Sequence, residues 1–522
     1  MLIMGQPVRK IVIVGGGSAG WLTAGIIAAE HNAKSSAGIQ ITVVESPEVS
    51  IIGVGEGTWP SMRETLSKIG ISETDLFREC DASFKQGVKF SQWVNGAEDD
   101  HYYHPFVLPQ GFNKTDLVFP WQKQREKIAF ADAVSYQGYL CREGRGPKLI
   151  STPEYAGIAN YGYHLDAFKL GQLLQNHCKE KLGVKHVVDH IVNVNNADNG
   201  DIASVTTKQQ GDIVGDLFID CSGMSSILLG KHFNVPFISK KHILFNDSAL
   251  AVHLPYPDKN TAITSHTAAT AQKSGWIWDI ALPTRRGVGY VYSSEYSNDL
   301  DAEIELRAYI ESSIGKDEAD KLTVRKLNFT PGHREKFWHK NCVAIGMSAG
   351  FIEPLEASAL VLVELAAAKI SKEMPATRQT MQILSKRFNK QFLYRWQRII
   401  DFLKMHYILS SREDTAFWRD NYNPATIPDS LKELMSLWEH QPPAAHDFYC
   451  AEEIFPSASW QYILYGMGFK TLKNSLSRKY VDEDKAKHFF NENIKLTEKL
   501  LSALPSNREL IDKIIKHGMQ KI

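Results

Sequence analysis

The sequence predicts an α/β protein that begins with a βαβ unit, continues into a mixed sheet and ends in a helical region. A glycine-rich turn near residue 15 lies between an apolar strand pattern and a helical pattern. Residues of roughly 100–340 mix short strand and helix patterns, and from about residue 376 the apolar residues follow a helical spacing.

The first βαβ unit has the spacing of a dinucleotide-binding fingerprint. Residues 10–20, KIVIVGGGSAG, run from an apolar strand into glycines and a helix, and a second strand pattern ends on Glu45. In such a Rossmann-like unit Gly15 makes the tight turn, Gly17 admits the pyrophosphate and Gly20 allows close helix packing. Helix amides hold the phosphates, and Glu45 accepts a hydrogen bond from a ribose hydroxyl. The complete order of elements favours dinucleotide binding over a merely glycine-rich turn.

One long amphipathic pattern predicts the helical region. Its apolar residues are Leu384, Phe388, Phe392, Trp396, Ile400 and Leu403. This spacing places them on one face of a helix. We therefore expect a nucleotide-binding domain over residues 1–375 and a mainly helical domain over residues 376–522 that covers it.

The composition is that of a globular protein with no electrostatic preference for polyanions. Of 522 residues, 43% are hydrophobic and 23% are charged, and 59 basic residues balance 59 acidic ones. This balance argues against nucleic acid and anionic membrane surfaces as partners. The apolar stretch at 357–370 is short for a membrane span and contains Glu364, so we expect a buried helix there.

The cysteines and the amino terminus favour a cytoplasmic protein. Six cysteines are scattered without a CxxC pair, which argues against a zinc site or a disulfide framework. No apolar core of signal-peptide length precedes the first strand pattern. His101 and His104 lie close together, but two ligands are too few for a metal site. We predict a cytoplasmic location and no bound metal.

Two lysines stand four residues apart in an apolar strand pattern, CDASFKQGVKFSQW, at residues 80–93. Read at period two, the strand places Lys85 and Lys89 on one face and the bulky apolar residues on the other. A solvated strand face is the usual environment of lysine. A lysine held in a lined cavity for chemistry is the other interpretation, and the strand pattern leaves both open.

Eight short motifs stand in order between residues 15 and 360. They are GGGSAGW at 15–21, IGVGEGTWP at 52–60, SFKQGVKFSQW at 83–93, HPF at 104–106, DLFIDCSG at 216–223, GWIWDI at 275–280, GYVYSS at 289–294 and FIEPLEASAL at 351–360. Together they resemble the flavin-dependent halogenases typified by the tryptophan halogenases. The resemblance implies an FAD-binding domain like that of the aromatic hydroxylases, with a helical substrate domain.

The resemblance implies an enzyme that halogenates an electron-rich aromatic ring. In this family reduced FAD (FADH2) reacts with O2 to a flavin hydroperoxide, halide attacks its distal oxygen, and hypohalous acid travels to a lysine. Lys85, in SFKQG, occupies that lysine's position, whereas Lys89 is implied to be structural or tunnel-lining. Lys85 forms a haloamine or donates a hydrogen bond to the hypohalous acid, and the sequence does not choose between these roles.

The implied cofactors are FAD and a halide ion, chloride or bromide. Residues implied to bind FAD are Gly15, Gly17, Ser18, Ala19, Gly20, Glu45, Gly55, Glu56, Gly57, Met347 and Leu360. The sequence has no second nucleotide fingerprint for NAD(P)H, so we expect a separate flavin reductase as partner.

The motif around PLE supplies the implied halide site and a second catalytic residue. Glu356 matches the family's carboxylate, which polarises the lysine-bound halogen or accepts the ring proton. The amides of Ser358 and Ala359 correspond to the halide site, and unpaired N–H groups at a helix start suit an anion. Alternatively, Glu356 is a first-turn acid of a helix that begins near Pro354.

Two other positions bear on the type of flavin enzyme. Trp276 and Trp278 resemble the family's WxWxI signature, which separates the substrate from the flavin, although Ala281 replaces the proline that follows it. An ordinary buried aromatic strand is the alternative. Where aromatic hydroxylases have Gly-Asp near the flavin, this chain has Gly346 followed by Met347, which favours a halogenase.

The resemblance also implies an aromatic substrate site. His104 and Phe106 supply one wall, and Trp460 is the candidate for the opposing wall, although aromatic clusters are more often simply core. Family members that act on free tryptophan hold its polar end with a tyrosine and a glutamate, and here Phe455 falls on the acidic position. We therefore expect an indole-type substrate without the zwitterion, or an indole within a larger molecule.

Two further hypotheses remain open from the sequence. A flavin-dependent aromatic monooxygenase would hydroxylate the ring instead of halogenating it. A non-catalytic flavin- and indole-binding protein would bind the ligand without forming product. The presence of both Lys85 and Glu356 counts against the non-catalytic hypothesis.

Overall fold

The computed structural model of the chain describes residues 7–35, 37–48, 55–473 and 481–521. The chain forms two compact units, each assembled from three segments. The first unit comprises Met1–Asp81, Leu165–Lys240 and Thr330–Trp396, and the second comprises Ala82–His164, Lys241–Phe329 and Gln397–Ile522. The domain boundary expected between residues 375 and 376 was based on the change in sequence pattern, whereas these units are defined by compactness. That boundary therefore stays a prediction.

The strands are mostly short. They are β1 (Lys10–Val14), β2 (Gln40–Glu45), β3 (Glu56–Gly57), β4 (Ser83–Lys85), β5 (Gly87–Ser91), β6 (His101–Pro105), β7 (Gly162–Leu165), β8 (Lys185–Val188), β9 (Ile191–Asn196), β10 (Ile202–Thr207), β11 (Gly211–Val214), β12 (Leu217–Asp220), β13 (Phe237–Ser239), β14 (Ser248–Pro255), β15 (Thr267–Ala271), β16 (Gly275–Ala281), β17 (Arg285–Tyr292), β18 (Arg325–Asn328), β19 (Gly332–Arg334), β20 (Trp338–His339), β21 (Cys342–Ala344) and β22 (Gly350–Phe351).

The α-helices vary widely in length. They are α1 (Ser18–Glu30), α2 (Ser61–Ile69), α3 (Glu73–Glu79), α4 (Val118–Gln122), α5 (Phe130–Val134), α6 (Gln137–Arg142), α7 (Ala167–Glu180), α8 (Asp299–Ile314), α9 (Lys316–Lys321), α10 (Ser358–Lys372), α11 (Arg378–Ile408), α12 (Ala416–Asp420), α13 (Asp429–Trp438), α14 (Ser457–Gly466), α15 (Glu483–Ala503) and α16 (Asn507–His517).

The first unit is built around a six-stranded sheet in the order β20-β21-β12-β1-β2-β8. Strand β1 lies parallel to both β2 and β12, and its residues Ile11–Val14 are buried. Helix α1 follows β1 directly and packs against α7 and α10. This arrangement confirms the predicted Rossmann-like βαβ start, in which a strand buried on both faces reads as a continuous apolar run.

Two helices of the chain match their sequence patterns closely. Helix α10 is buried along most of its length, and Glu364 within it is only 3% exposed. Helix α11 contains the whole predicted amphipathic pattern from Leu384 to Leu403. Its aromatic residues Phe388 and Phe392 are buried and stack on each other.

The second unit contains a seven-stranded sheet in the order β18-β14-β17-β16-β15-β5-β6. Its neighbouring strands are antiparallel except for β15 and β5, which run parallel. Helix α8 packs on one face of this sheet and buries Ala302, Leu306 and Ile310 against it. Mixed pairing of this kind agrees with the predicted mixed sheet.

Helices of the carboxyl-terminal segment pack within the second unit. Helix α14 lies against β6, and α15 lies against α5 and α6. Leu500 and Leu504 bury their side chains with Leu140 and Ala159. In the part of the chain that the structure describes, no helix is both long enough and apolar enough to cross a membrane.

The strand predicted over the two lysines is interrupted at Gln86. Strand β4 pairs with β7, whereas β5 pairs with β6 and β15. Lys85 and Lys89 therefore lie on two different strands that belong to different sheets. The period-two interpretation, in which one continuous strand directs both amines to one face, is wrong at this point.

Candidate active site

The glycine turn after β1 has the shape that a dinucleotide fingerprint requires. Gly15 has φ +116°, which favours glycine, and a methyl group there would overlap the carbonyl of Cys221. A methyl group at Gly20 would overlap the carbonyl oxygen of Gly15. At Gly17, by contrast, a methyl group would meet no atom of the described residues within 4 Å. The turn is thus tightly packed at Gly15 and Gly20, whereas there is free space at Gly17, beside the start of α1.

Glu45, at the end of β2, is held across this turn by two polar side chains. His186 Nε2 lies 2.8 Å from Glu45 Oε2, and Gln175 Nε2 donates to the same oxygen at 3.1 Å. A methyl group at Gly16 would overlap the Glu45 carboxyl group. His186 and Gln175 escaped the sequence analysis because they come from distant segments and carry no local motif.

The remaining residues predicted to bind the cofactor lie in four places in the first unit, of which two are adjacent. Ser18 and Ala19 begin α1, and the Ser18 hydroxyl donates to the Ala167 carbonyl at 3.0 Å. Met347 follows Gly346, where a methyl group would lie 3.0 Å from Ala19 Cβ. The turn that carries Met347 is therefore adjacent to the start of α1.

The motif IGVGEGTWP is described from Gly55 onward, and its residues 52–54 lie outside the described residues. Gly55 has φ +98°, and Glu56 and Gly57 form β3. Burial raises the pKa of Glu56 to about 7. Leu360, the last of the predicted contacts, is buried in the first turn of α10.

The backbone before α10 departs from the sequence expectation at Glu356. Glu356 has φ +66° and ψ +6°, and Ala357 has φ +54° and ψ +45°, so both are in the left-handed region. Helix α10 begins only at Ser358. A short 3₁₀ turn at Leu355–Ala357 does follow Pro354 and contains Glu356, but the φ/ψ values of Glu356 are not helical, and Glu356 lies before α10 and not in its first turn. Ser358 and Ala359 do form the first turn of α10, whose N–H groups lack partners within the helix.

Lys85 is the last residue of β4, and its side chain has no exposed surface. Its Nζ lies 5.4 Å from the centre of the Phe106 ring. His164 pairs with Ser83 across β4 and β7, so it is a diagonal neighbour of Lys85 on the same face. Burial first, and then the charge of Lys85, hold the pKa of His164 well below its usual range. The solvated-face interpretation of Lys85 is wrong.

A buried amide network holds the backbone of Phe106. Gln137 Oε1 accepts from the amides of Phe106 and Val107, each at 2.8 Å. Gln137 Nε2 donates to Gln86 Oε1 at 3.3 Å, and Asn160 Nδ2 donates to the Phe106 carbonyl at 2.9 Å. At period two, Gln86 shares a strand face with the bulky apolar residues Phe84 and Val88. A glutamine among buried apolar residues was the signal that it serves a polar network.

Lys89 has different surroundings from Lys85. It is half-buried on β5, opposite Tyr103 on β6. Burial and the nearby charge of Arg142 lower its pKa. Burial and the charge of Lys89 in turn lower the pKa of His266 to about 4. The role of Lys89, structural or tunnel-lining, stays a prediction.

The predicted aromatic walls lie in one region of the second unit. The ring of His104 lies 5.9 Å from that of Phe402, and the Trp460 ring lies 4.8 Å from the same Phe402. Trp460 is 1% exposed, and Phe448 packs against its face. Tyr449, adjacent to Phe448 in sequence, is instead 96% exposed. Phe402 was not among the residues of the predicted face of α11, and no local motif singles it out.

The tryptophans of GWIWDI are both buried on β16. Their rings lie 6.4 Å apart in an edge-to-face arrangement. Trp278 pairs with Gly289 on β17, and a methyl group at Gly289 would overlap the Trp278 ring. Gly289, the first residue of GYVYSS, therefore makes room for the second tryptophan. The sequence alone could not show that these two motifs depend on each other, because the contact follows from how β16 and β17 are paired.

Comparison with known proteins identifies the family. The sequence model of the tryptophan halogenase family matches residues 10–484 of this chain. The chain belongs to the tryptophan halogenase family. Its members are flavin-dependent halogenases, so the chain is an enzyme of that type, with a flavin cofactor and a halide as substrate. The FAD-binding fold class and the helical carboxyl-terminal region are likewise confirmed.

Three relatives illustrate the extent of the similarity. A solved tryptophan halogenase from Shewanella frigidimarina is 49% identical, with a TM-score of 0.96 and 100% of both chains covered. Tryptophan 6-halogenase SttH from Streptomyces toxytricini is 33% identical, covering 96% of this chain and 97% of its own length. The solved flavin-dependent halogenase Xcc4156 from Xanthomonas campestris is 30% identical, with a TM-score of 0.85 and 99% of both chains covered. In this halogenase, then, the family match extends through both compact units.

Proposed function

We propose that this chain uses FADH2 and O2 to halogenate an indole-type aromatic substrate through hypohalous acid delivered to Lys85. The observation that carries the proposal is the environment of Lys85. Its amine is fully buried beside the Phe106 ring, in a chain that belongs to the halogenase family. Restricted solvation suits an amine that must present a reactive oxidant to one substrate, because free hypohalous acid oxidises whatever it meets.

FAD fits the first unit because the glycine turn provides a cradle that a side chain would fill. Gly17 leaves space beside the start of α1, and Glu45 is pre-positioned to accept from a ribose hydroxyl. Bound FADH2 would supply two electrons that activate O2, the oxidant: one oxygen atom would be transferred to halide to give hypohalous acid, and the other would leave as water. The first-turn amides of Ser358 and Ala359 are the proposed halide site, since they can bind an anion without a charged side chain.

The transfer to the substrate is an electrophilic aromatic substitution. A ring carbon forms a bond to the halogen while the halogen–oxygen bond of hypohalous acid breaks, and the oxygen leaves as water. In that route Lys85 holds the hypohalous acid by a hydrogen bond. In the haloamine route the Lys85 nitrogen first forms a bond to the halogen while the halogen–oxygen bond breaks and water leaves; the ring carbon then takes the halogen as the nitrogen–halogen bond breaks, and the amine regains a proton. Glu356 polarises the halogen species or accepts the proton that the ring carbon loses.

The substrate is proposed to be an indole without the amino acid zwitterion. Phe455 stands where an acidic residue is expected for free tryptophan, and its ring stacks on Phe402 at 3.8 Å. Phe455 is only 2% exposed, so its neighbourhood is apolar. Of the adjacent acids, Glu452 is exposed and Glu453 accepts from the amide of Cys450 at 3.1 Å. Burying an ammonium and a carboxylate here without partners would be costly.

Product analysis tests the proposal and separates it from the two other hypotheses. The purified protein is supplied with FAD, a separate flavin reductase, chloride or bromide, and either indole or tryptophan. We expect a halide-dependent mass increase with indole. A hydroxylated product would instead indicate an aromatic monooxygenase, and flavin binding without any product would indicate a binding protein. A separate reductase is included because the sequence has no second nucleotide fingerprint.

A further inference from the structure

The side chain of Trp59 is hydrogen-bonded to the backbone of Glu356. Its indole Nε1 donates to the Glu356 carbonyl oxygen at 2.7 Å. Trp59 is half-buried and immediately precedes Pro60, the N-cap of α2. Trp59 is not one of the proposed site residues. Its hydrogen bond to the Glu356 backbone can therefore position Glu356 without taking part in the chemistry.

The turn that Trp59 holds is one that its residues disfavour. Glu356 and Ala357 are consecutive non-glycine residues with φ +66° and φ +54°. The left-handed region costs free energy for any residue with a Cβ, so such a turn persists only where its surroundings hold it. Within the turn, the amide of Ala357 donates to the Pro354 carbonyl at 2.9 Å. The Trp59 N–H is a further restraint, supplied from outside the turn.

Helix α2 also binds the helix into which the turn leads. Ser61 Oγ donates to Glu364 Oε1 at 3.3 Å, and Thr65 Oγ1 donates to Glu364 Oε2 at 2.6 Å. Glu364 belongs to α10, which begins directly after the turn. Helix α10 is thus hydrogen-bonded to α2 through Glu364. Trp59, which lies just before α2, is hydrogen-bonded to the turn that precedes α10.

We infer that Trp59 is a positioning residue that maintains the left-handed backbone at Glu356 and Ala357. Through that backbone it sets the direction of the Glu356 carboxylate and of the first-turn amides of Ser358 and Ala359. The inference rests on the proposed function, in which Glu356 acts in catalysis and these amides bind halide. It predicts that removal of one N–H group, outside the site itself, weakens halide binding.

The variant Trp59→Phe tests the inference because it keeps an aromatic ring and removes the N–H donor. We expect the halide KM to rise about five-fold, as for loss of one hydrogen bond. The flavin affinity should not change. Chloride NMR line broadening, measured by titration of the protein without turnover, should show a weakening of about the same factor.

The matched control is Trp338→Phe in the same unit. Trp338 is buried, and its Nε1 donates to the Lys340 carbonyl oxygen at 3.1 Å. This variant loses an equivalent hydrogen bond whose acceptor, the Lys340 carbonyl, is not part of the turn at Glu356, so its halide KM should stay at the wild-type value. An equal rise in both variants would overturn the inference, because it would show a general loss of stability.

A rescue experiment distinguishes positioning from a merely structural role. Ala357→Gly in the Trp59→Phe background supplies a residue that adopts the left-handed region without cost. The halide KM should then return to within about two-fold of wild type, since glycine offsets a penalty of the size of one hydrogen bond. No rescue would contradict the proposed link between Trp59 and the turn.

If Trp59→Phe does not fold, Ala357→Val tests the same turn with Trp59 intact. A β-branched residue disfavours positive φ strongly, so the halide KM should rise. An unchanged KM and unchanged line broadening would overturn the inference. A wild-type protein that forms no halogenated product would overturn the proposed function instead, while the chloride titration, which needs no turnover, would still decide the role of Trp59.

Discussion

Lys85 Nζ lies 5.4 Å from the centre of the Phe106 ring, on a side chain with no exposed surface. The face of an aromatic ring attracts a cation, whereas burial removes the water that would hydrate it. These opposing influences act on an amine that has lost most of its hydration. Such an amine differs from the half-buried Lys89, although the two residues are only four apart in the chain.

The variant Lys85→Met should abolish halogenation while preserving the fold, because methionine fills a similar apolar volume in a buried site. Loss of the amine should reduce product formation by at least about a thousand-fold, within the range for loss of a catalytic proton donor or acceptor. Flavin affinity should be retained, and reduced flavin should still release hydrogen peroxide. Mass spectrometry of the product and a peroxide assay measure the two effects.

The control for this experiment is Lys89→Met. Lys89 shares the motif but lies on β5, near Tyr103 and Arg142. Its variant should keep product formation within about five-fold of wild type, the effect expected for a structural contact. Equal losses in both variants would count against a special role for Lys85. Continued hydroxylation by Lys85→Met would indicate a monooxygenase.

Gly17→Ala should weaken FAD binding without destabilising the protein. A methyl group at this position would meet no atom of the described residues within 4 Å, so the melting temperature should be unchanged. In the proposed complex the methyl group would occupy space needed by the pyrophosphate, and affinity should fall at least about ten-fold. Fluorescence titration with FAD measures this.

Gly20→Ala provides the contrasting case. Its methyl group would overlap the Gly15 carbonyl oxygen, so both the melting temperature and FAD binding should fall. Unchanged FAD affinity in Gly17→Ala would place the pyrophosphate elsewhere. Loss of stability in Gly17→Ala would show that the turn is less open than the structure indicates.

The fold and the site differ in how much the sequence could reveal. The βαβ start and helix α11 were predictable because each depends on a local sequence pattern. Gly15 indicates the turn after β1, and Phe392 belongs to the apolar spacing that predicts the buried face of α11. The interruption at Gln86 was not predictable from period two, because it depends on which strands β4 and β5 find as partners. Register likewise determines that Gly289 accommodates Trp278.

The left-handed backbone at Glu356 and Ala357 likewise could not be predicted from the local sequence. The residues PLEAS contain a proline but no glycine, so local preference favoured a helix beginning near Pro354. A short 3₁₀ turn does follow Pro354, but the left-handed backbone at Glu356 departs from that preference, and its carbonyl accepts a hydrogen bond from Trp59, which is distant in sequence. A conflict between local preference and tertiary contacts is typical of functional sites.

Indole should be halogenated with a higher kcat/KM than free tryptophan. Phe455, which stands where an acid is expected for a free amino acid, stacks on Phe402 and offers no charged group to an ammonium. An unpaired ammonium and carboxylate should reduce kcat/KM by at least about ten-fold. Competition between the two substrates in one reaction, followed by mass spectrometry, measures the ratio directly. Faster turnover of free tryptophan would refute the proposed substrate class.

The stability of the protein should depend on pH through Glu364. Burial raises the pKa of its carboxyl from 4.5 to about 7, although Thr65 and Ser61 donate hydrogen bonds to it. Below the unfolded pKa the carboxyl is protonated in both states, and its contribution to stability is fully present. As pH rises through the folded pKa this contribution is lost, because the unfolded chain ionises more easily than the folded one.

Glu364→Gln removes this titration. The variant should gain stability relative to wild type as pH increases from about 5 to about 8, by up to about 3 kcal/mol. Denaturant unfolding at several pH values measures the difference. Glu498→Gln, at an exposed position on α15, is the control and should show no such trend. A difference between Glu364→Gln and wild type that stays constant with pH would mean that Glu364 titrates near its ordinary value in the folded protein.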